Sequence, residues 1–198
     1  MQLNPINIFK FLEKKEGQPI PFKLKLIHEL PLTPEELNVT GDLKISPSGW
    51  GSKSDALLAS LPAGLKVKKT VDVRETQLTS LPDNFEVGGN LFLDNSKITA
   101  LPDDLKVGGG ISIANTPIAS LPDNLKVSWL RIDDTQINSI PNNLEVDWDF
   151  ELRDTPLAVQ YLKQHNNNPD EAKHALRRDI ESKGGKIGGT IEFGLTQA

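Results

Sequence analysis

A motif of about twenty residues is written five times in succession, and it leaves few folds open to the chain. The copies begin LPAGLKV at Leu61, LPDNFEV at Leu81, LPDDLKV at Leu101, LPDNLKV at Leu121 and IPNNLEV at Ile140. Their starts lie 20, 20, 20 and 19 residues apart. A period in this range belongs to stacked coils, in which each unit buries its apolar face only against its neighbours. Arrays of that kind serve as surfaces that hold something, so the displayed residues come before any search for a reaction centre.

The apolar residues keep a fixed phase within each copy. Successive units read Val71-x-Val73, Leu91-x-Leu93, Ile111-x-Ile113, Leu130-x-Ile132 and Phe150-x-Leu152, each followed by Thr76, Ser96, Thr116, Thr135 or Thr155 and then by Leu78, Ile98, Ile118, Ile137 or Leu157. Such alternation is a short strand with one face inward. The proline that follows cannot donate to a ladder, so the chain leaves the sheet there. One turn of coil is therefore strand, corner and return segment, and strands one period apart run parallel. Leu43-Lys44-Ile45 supplies an earlier strand, with eight surplus residues before the next in Gly49 to Ala56, and Ile191-Glu192-Phe193 supplies a later one. Seven strands result.

This pattern resembles the leucine-rich repeat in its shortest bacterial form, over roughly residues 30 to 157. The usual corner asparagine is replaced here by Thr or Ser, and the expectation is a hydroxyl ladder that satisfies backbone groups of the neighbouring turn. The resemblance extends to secreted effectors of enteric bacteria and to arrays in bacteriophage genomes. It implies an α/β repeat solenoid, coiled right-handed, that binds protein in a bacterial or phage-infected cytoplasm or after secretion as an effector. The ubiquitin-ligase activity of some such effectors needs a cysteine, and this chain has none.

Both ends read as caps. Asn4-Pro5 opens a helix with Ile6, Phe9 and Leu12 on one stripe and Gly17 as its stop, covering the first turn. Thr155-Pro156 opens a second helix to about His165, and Asn168-Pro169 a third that carries Ala172, Leu176 and Ile180 and ends at Gly184-Gly185. The expected divisions are an N-terminal cap over 1–29, the array over 30–157 with a projecting insertion at 49–56, and a C-terminal helical cap with the final strand over 158–198. The outer edge of Ile191 to Phe193 is either covered by the helices before it or paired in a homodimer.

Charge narrows the partner. The chain carries 22 basic and 27 acidic residues; its denser basic groups, Lys66-Lys68-Lys69 and Arg177-Arg178, are too small for a phosphate backbone and read as solvated faces, so no nucleic-acid partner is expected. No apolar run approaches eighteen residues, which argues against a membrane span. The absence of cysteine removes disulfides, thiol catalysis and thiolate metal sites. Gly88-Gly89 and Gly108-Gly109-Gly110 recur where the chain re-enters the sheet and read as backbone geometry rather than phosphate loops. Gly49 to Ser54 lacks the glycine spacing of a P-loop. His28, His165 and His174 have no metal-ligand spacing, and Asp103-Asp104 sits where turn side chains bond their own backbone. Neither a cofactor, a metal nor a catalytic residue is expected.

The outward columns of the sheet are more informative. The first reads Lys44, Asp72, Phe92, Ser112, Arg131, Glu151, Glu192 and the second Ser46, Arg74, Asp94, Ala114, Asp133, Arg153. Adjacent rungs bring Arg131 beside Glu151, Arg74 beside Asp94 and Asp133 beside Arg153, as internal pairs or as groups facing a partner. Phe92 faces outward, Trp129 and Trp148 stand just before strands, and Trp50 lies in the insertion. Exposed aromatics mark binding hot spots. The candidate partner-binding residues are thus Trp50, Phe92, Trp129, Arg131, Trp148, Glu151 and Arg153. The reading is a non-catalytic protein-binding module. Its alternatives are an effector or phage inhibitor of a specific host or defence enzyme and a carbohydrate-binding surface built on the tryptophans.

Overall fold

A computed structural model describes residues 7, 11, 13–15, 17, 19–47 and 53–194 of the chain. It is an α/β repeat solenoid in which every turn contributes two strands of two residues each. They are β1 (Asn38–Val39) and β2 (Leu43–Lys44), β3 (Lys66–Val67) and β4 (Val71–Asp72), β5 (Glu86–Val87) and β6 (Leu91–Phe92), and β7 (Lys106–Val107) and β8 (Ile111–Ser112). Then follow β9 (Lys126–Val127) and β10 (Leu130–Arg131), β11 (Glu145–Val146) and β12 (Phe150–Glu151), and β13 (Lys186–Ile187) and β14 (Ile191–Glu192). The even strands form one parallel seven-stranded sheet in the order β14-β12-β10-β8-β6-β4-β2. Its register sets Val71 opposite Leu91, Leu91 opposite Ile111 and Leu130 opposite Phe150, so the repeat period alone determines pairing.

The odd strands make a second parallel sheet that the sequence reading took for part of the return segment. It is divided into β1-β3-β5-β7 and β13-β11-β9. In five of its turns the first N–H after the strand donates to the valine carbonyl of the turn before, as Lys68 to Val39, Gly88 to Val67, Gly108 to Val87, Asp147 to Val127 and Gly188 to Val146, at 2.8 to 3.1 Å. Ser128 departs from the series and donates to Gly109 at 3.0 Å. The cause is the 19-residue period: two residues, Ser128 and Trp129, take the corner that Gly108, Gly109 and Gly110 take one turn earlier. The outward column of this sheet alternates in charge except at the division. It reads Lys66, Glu86, Lys106, then Lys126, Glu145, Lys186, with ion pairs Lys66–Glu86 at 3.0 Å, Lys106–Glu86 at 3.3 Å and Lys126–Glu145 at 2.7 Å. Lys106 and Lys126 stand next to each other in this column at the place where the ladder lapses.

Between the sheets lies one continuous apolar core, running from Leu26 and Ile27 through Phe85 and Phe150 to Phe193. Thr76, Thr116, Thr135 and Thr155 are buried, but their hydroxyls donate to Val73, Ile113, Ile132 and Leu152 of their own turn at 2.7 to 2.8 Å. This corrects the expected inter-turn ladder. The hydroxyl closes its own corner, while inter-turn bonds come from side chains before the strand: Asp42 accepts from Thr70 N–H, Asn90 from Gly110 N–H and Asp149 from Thr190 N–H. Asp104 likewise accepts from the N–H of Asn84 in the preceding turn at 2.9 Å, not from its own backbone.

The corner after each even strand needs a left-handed residue. Glu75, Asn95, Asn115, Asp134 and Asp154 hold φ between 53° and 58°. Asn and Asp tolerate this region because a short polar side chain bonds locally, whereas Glu does not.

At the N-terminus, Asn7, Phe11 and Glu13 to Lys15 are helical and Gly17 follows at φ 65°; the Asn4, Pro5, Ile6, Phe9 and Leu12 of the expected cap lie outside the described residues. A further helix, α1 (Phe22–Ile27), sends Leu26 and Ile27 into the core. It is pinned to the first turn by Lys25–Glu36 at 2.8 Å. Lys23 of α1 pairs with the buried Asp55. Asp55 belongs to a 3₁₀ turn over Lys53–Leu57, whose Ala56 carbonyl accepts from Gln77 at 3.2 Å. The second half of the insertion therefore folds onto the array and does not project as expected; the first half lies outside the described residues. At the other end stand α2 (Pro156–Gln164) and α3 (Pro169–Ser182). Thr155 accepts from Ala158 N–H, Asn168 from Asp170 and Glu171 N–H, and Ala172, Leu176 and Ile180 are buried, as the sequence predicts.

Candidate partner-binding face

The outward face of the seven-stranded sheet carries residues between the buried ones, so its two columns follow from strand alternation alone. Its middle rung is small: Ser112 and Ala114 lie low, 3% and 6% exposed. Trp129 enters from the fifth turn. Because its turn is one residue short, Trp129 stands in the column of Gly110, and its ring occupies the space a side chain there would fill, a Cβ on Gly110 falling 2.1 Å from the indole. Leaning across the glycine, the indole reaches Phe92 of the third turn, with ring centroids 5.8 Å apart and planes inclined by 39°. The Arg74 guanidinium lies over the other neighbourhood of Phe92, 5.3 Å from its centroid. Three turns thus contribute to one Arg-Phe-Trp stack, a tilted aromatic pair with a cation above it.

Charged groups around the stack are held in fixed positions. Arg74 grips Asp72 of its own strand through Nε at 2.9 Å and Nη2 at 2.7 Å, which corrects the expected pairing with Asp94. Asp94 instead accepts from the Ser112 hydroxyl and from Ala114 N–H. Arg131 donates from Nε to Asp133 at 2.9 Å and lies 3.7 Å from Glu151. Arg153 approaches Glu151 at 3.4 Å and Asp133 at 3.7 Å, so the expected cross-strand pairs at these rungs form. Asp133 is 2% exposed. Hydrogen bonding to Asp72 and Asp133 respectively holds Arg74 and Arg131 above the usual arginine value, so both remain charged wherever the protein is folded.

Beside the stack, Ala114 leaves a notch of about 530 Å³ walled by Arg74, Asp94, Arg131 and Asp134. Trp148 is 63% exposed at the corner before β12. Trp50 lies outside the described residues. Of the sequence-derived candidates, the structure therefore brings Phe92 to Trp129, and Arg131 to Glu151 and Arg153. Arg74 was missed as a member, because a residue's rung neighbours are legible from the period but the lean of an indole across a glycine is not. His165 and His174 share a shallow hollow with Glu171 and Arg178, yet among the described residues no group of three or more His, Cys, Asp or Glu is arranged to hold a metal ion. Also among the described residues, no helix is long and apolar enough to cross a membrane.

No family model matches the chain. A search of curated proteins finds no match either. Among solved structures, a Shigella effector LRR domain is similar at 17% identity, over 97% of this chain and 99% of that one, with a TM-score of 0.32.

Proposed function

We propose that the chain is a non-catalytic protein-binding module that receives its partner on the seven-stranded sheet, around Arg74, Phe92 and Trp129. The observation that carries this reading is the stack itself. Aromatic and arginine side chains dominate interface hot spots, and these three are already locked against one another, so binding need not order them again. The Ala114 notch offers a pocket next to the anchor, and the Arg131, Glu151 and Arg153 network offers a polar rim.

Size supports a larger footprint than the sheet. Seven strands about 4.8 Å apart give roughly 350 Å² of outward face, against about 800 Å² per partner for a standard interface. Trp148 at the corner extends the patch. Inhibition of a host or defence enzyme by an effector or phage protein is a finer form of the same reading: the module would act by occupying its target.

The experiment is affinity capture with the wild-type chain and a Phe92→Ala/Trp129→Ala variant, followed by titration of the retained protein. The expected result is one partner whose affinity falls on the order of 100-fold in the variant, as loss of an aromatic hot spot implies. A partner held equally by both chains would overturn the placement. A glycan array that binds the wild type but not the variant would move the reading to carbohydrate.

A further inference from the structure

The second sheet carries a trough of about 850 Å³ that runs across the β3, β5 and β7 turns to Lys126, at the lapse in the ladder. Four lysines line it, Lys66, Lys68, Lys106 and Lys126, against one carboxylate, Glu86. The local excess of positive charge runs against the chain as a whole, which carries 22 basic and 27 acidic residues. Glu86 is shared between Lys66 and Lys106, and Lys68 makes no ion pair among the described residues. Glu86 thus serves two ammonium groups, Lys126 turns to Glu145 at 2.7 Å, and Lys68 stands alone.

The floor is of a different kind. Leu105 and Val107 occupy inward positions, yet they are only partly buried, unlike their counterparts Leu65, Val67, Phe85 and Val87. The lapse uncovers them. It also leaves the Val107 carbonyl without the N–H that every other paired turn receives at this position, since Ser128 donates to Gly109. Two apolar side chains are therefore presented in a strip flanked by lysines.

We propose that this trough is a second docking site, for an extended acidic peptide segment of a partner protein. Alternating carboxylate and apolar side chains match the lysine rim and the Leu105 and Val107 floor. Nucleic acid matches less well: four lysines around an apolar floor contain neither the dense cation row nor the stacking aromatics that phosphate backbones and bases require. The site is separate from the Phe92 face and does not depend on it.

The test titrates the full chain with a blocked peptide of alternating Glu and Val, with its Lys and Val counterpart, and with a single-stranded DNA oligonucleotide. Amide shifts are followed by NMR, in wild type, in Lys106→Glu/Lys126→Glu and in the milder Lys106→Gln/Lys126→Gln. The expected result is shifts at Val107, Gly108 and Lys126 with the acidic peptide alone. Affinity should fall at least about tenfold on charge reversal and by less on neutralisation, and it should weaken with salt. The Phe92→Ala variant should bind the peptide as wild type does. Absence of shifts at these amides at millimolar peptide, equal binding of the basic peptide, or stronger binding of DNA would each overturn the proposal. Circular dichroism checks the fold of both lysine variants, and the Gln pair decides if the Glu pair does not fold.

Discussion

The Arg177 guanidinium reaches the Gly189 carbonyl at 2.7 Å, while its other nitrogen donates to Ile187. In earlier turns the matching carbonyls are taken by the next turn, as Val67 by Gly88 at 2.8 Å and Gly89 by Gly109 at 3.0 Å. One side chain of α3 thus stands where the N–H groups of an eighth turn would stand, and the last corner of the second sheet is closed without another repeat.

Replacing Arg177 with Met leaves both acceptors open at the end of the array. Charge-assisted hydrogen bonds are worth more than neutral ones, so urea unfolding should show a loss of about 2 kcal/mol. Sedimentation of the variant at micromolar concentration should show stronger association than wild type, because an uncovered sheet edge recruits another chain. The same wild-type run decides between a homodimer through β14 and an edge covered by the preceding helices; among the described residues β14 pairs with β12 alone.

The corner hydroxyls predict unequal effects. Thr135→Val removes the buried donor to the Ile132 carbonyl and should cost about 1 to 3 kcal/mol. Ser96 Oγ is buried and has no hydrogen-bond partner among the described residues, so Ser96→Ala should change the melting temperature little or raise it. Equal losses in the two variants would mean that size, not bonding, fixes these positions.

Glu75 holds φ 58° in a column otherwise filled by Asn and Asp. Glu75→Asn keeps an exposed polar group and relieves the backbone, so the urea midpoint should rise, by about 0.5 to 1 kcal/mol in free energy. The reverse change at Asn95, to Glu, should lower it by a similar amount.

Acid should weaken the array by a definite route. Hydrogen bonds from Lys66, Asn142 and Thr190 hold the carboxyls of Glu86, Asp123 and Asp149, respectively, below their ordinary values. A carboxyl lowered in the folded state contributes stability that is complete above its unfolded value, about 4, and is lost as pH falls through the folded value. Melting temperature should therefore hold near pH 6 and drop below about pH 4. Asp149→Asn should make that drop shallower.

The seven even strands were legible because Val71-x-Val73 and its successors repeat at one interval, and alternation with a fixed period determines both face and register. The odd strands were not. Lys66–Val67 and its counterparts offer a single inward residue each, too little for alternation to register, and only cross-turn hydrogen bonds define them. Helix α1 escaped notice for a related reason: Phe22, Leu24 and Leu26 alternate as in a strand, and six residues give no helical period. Among the binding residues, Phe92 and Arg131 were placed by phase, but the contact between Trp129 and Phe92 depends on a one-residue deletion and on Gly110 one turn away. Asp55 looked like part of a surplus loop, since nothing local announces that Lys23 will cover it.

The missing residue before Trp129 has a mechanical consequence. Between the fourth and fifth turns the two halves of the rod share the seven-stranded sheet and the core, while the second sheet contributes only the bond from Ser128 to Gly109. Pulled from its ends or warmed toward unfolding, the coil should part at this seam first, and hydrogen exchange should report two blocks, ending at β8 and beginning at β9.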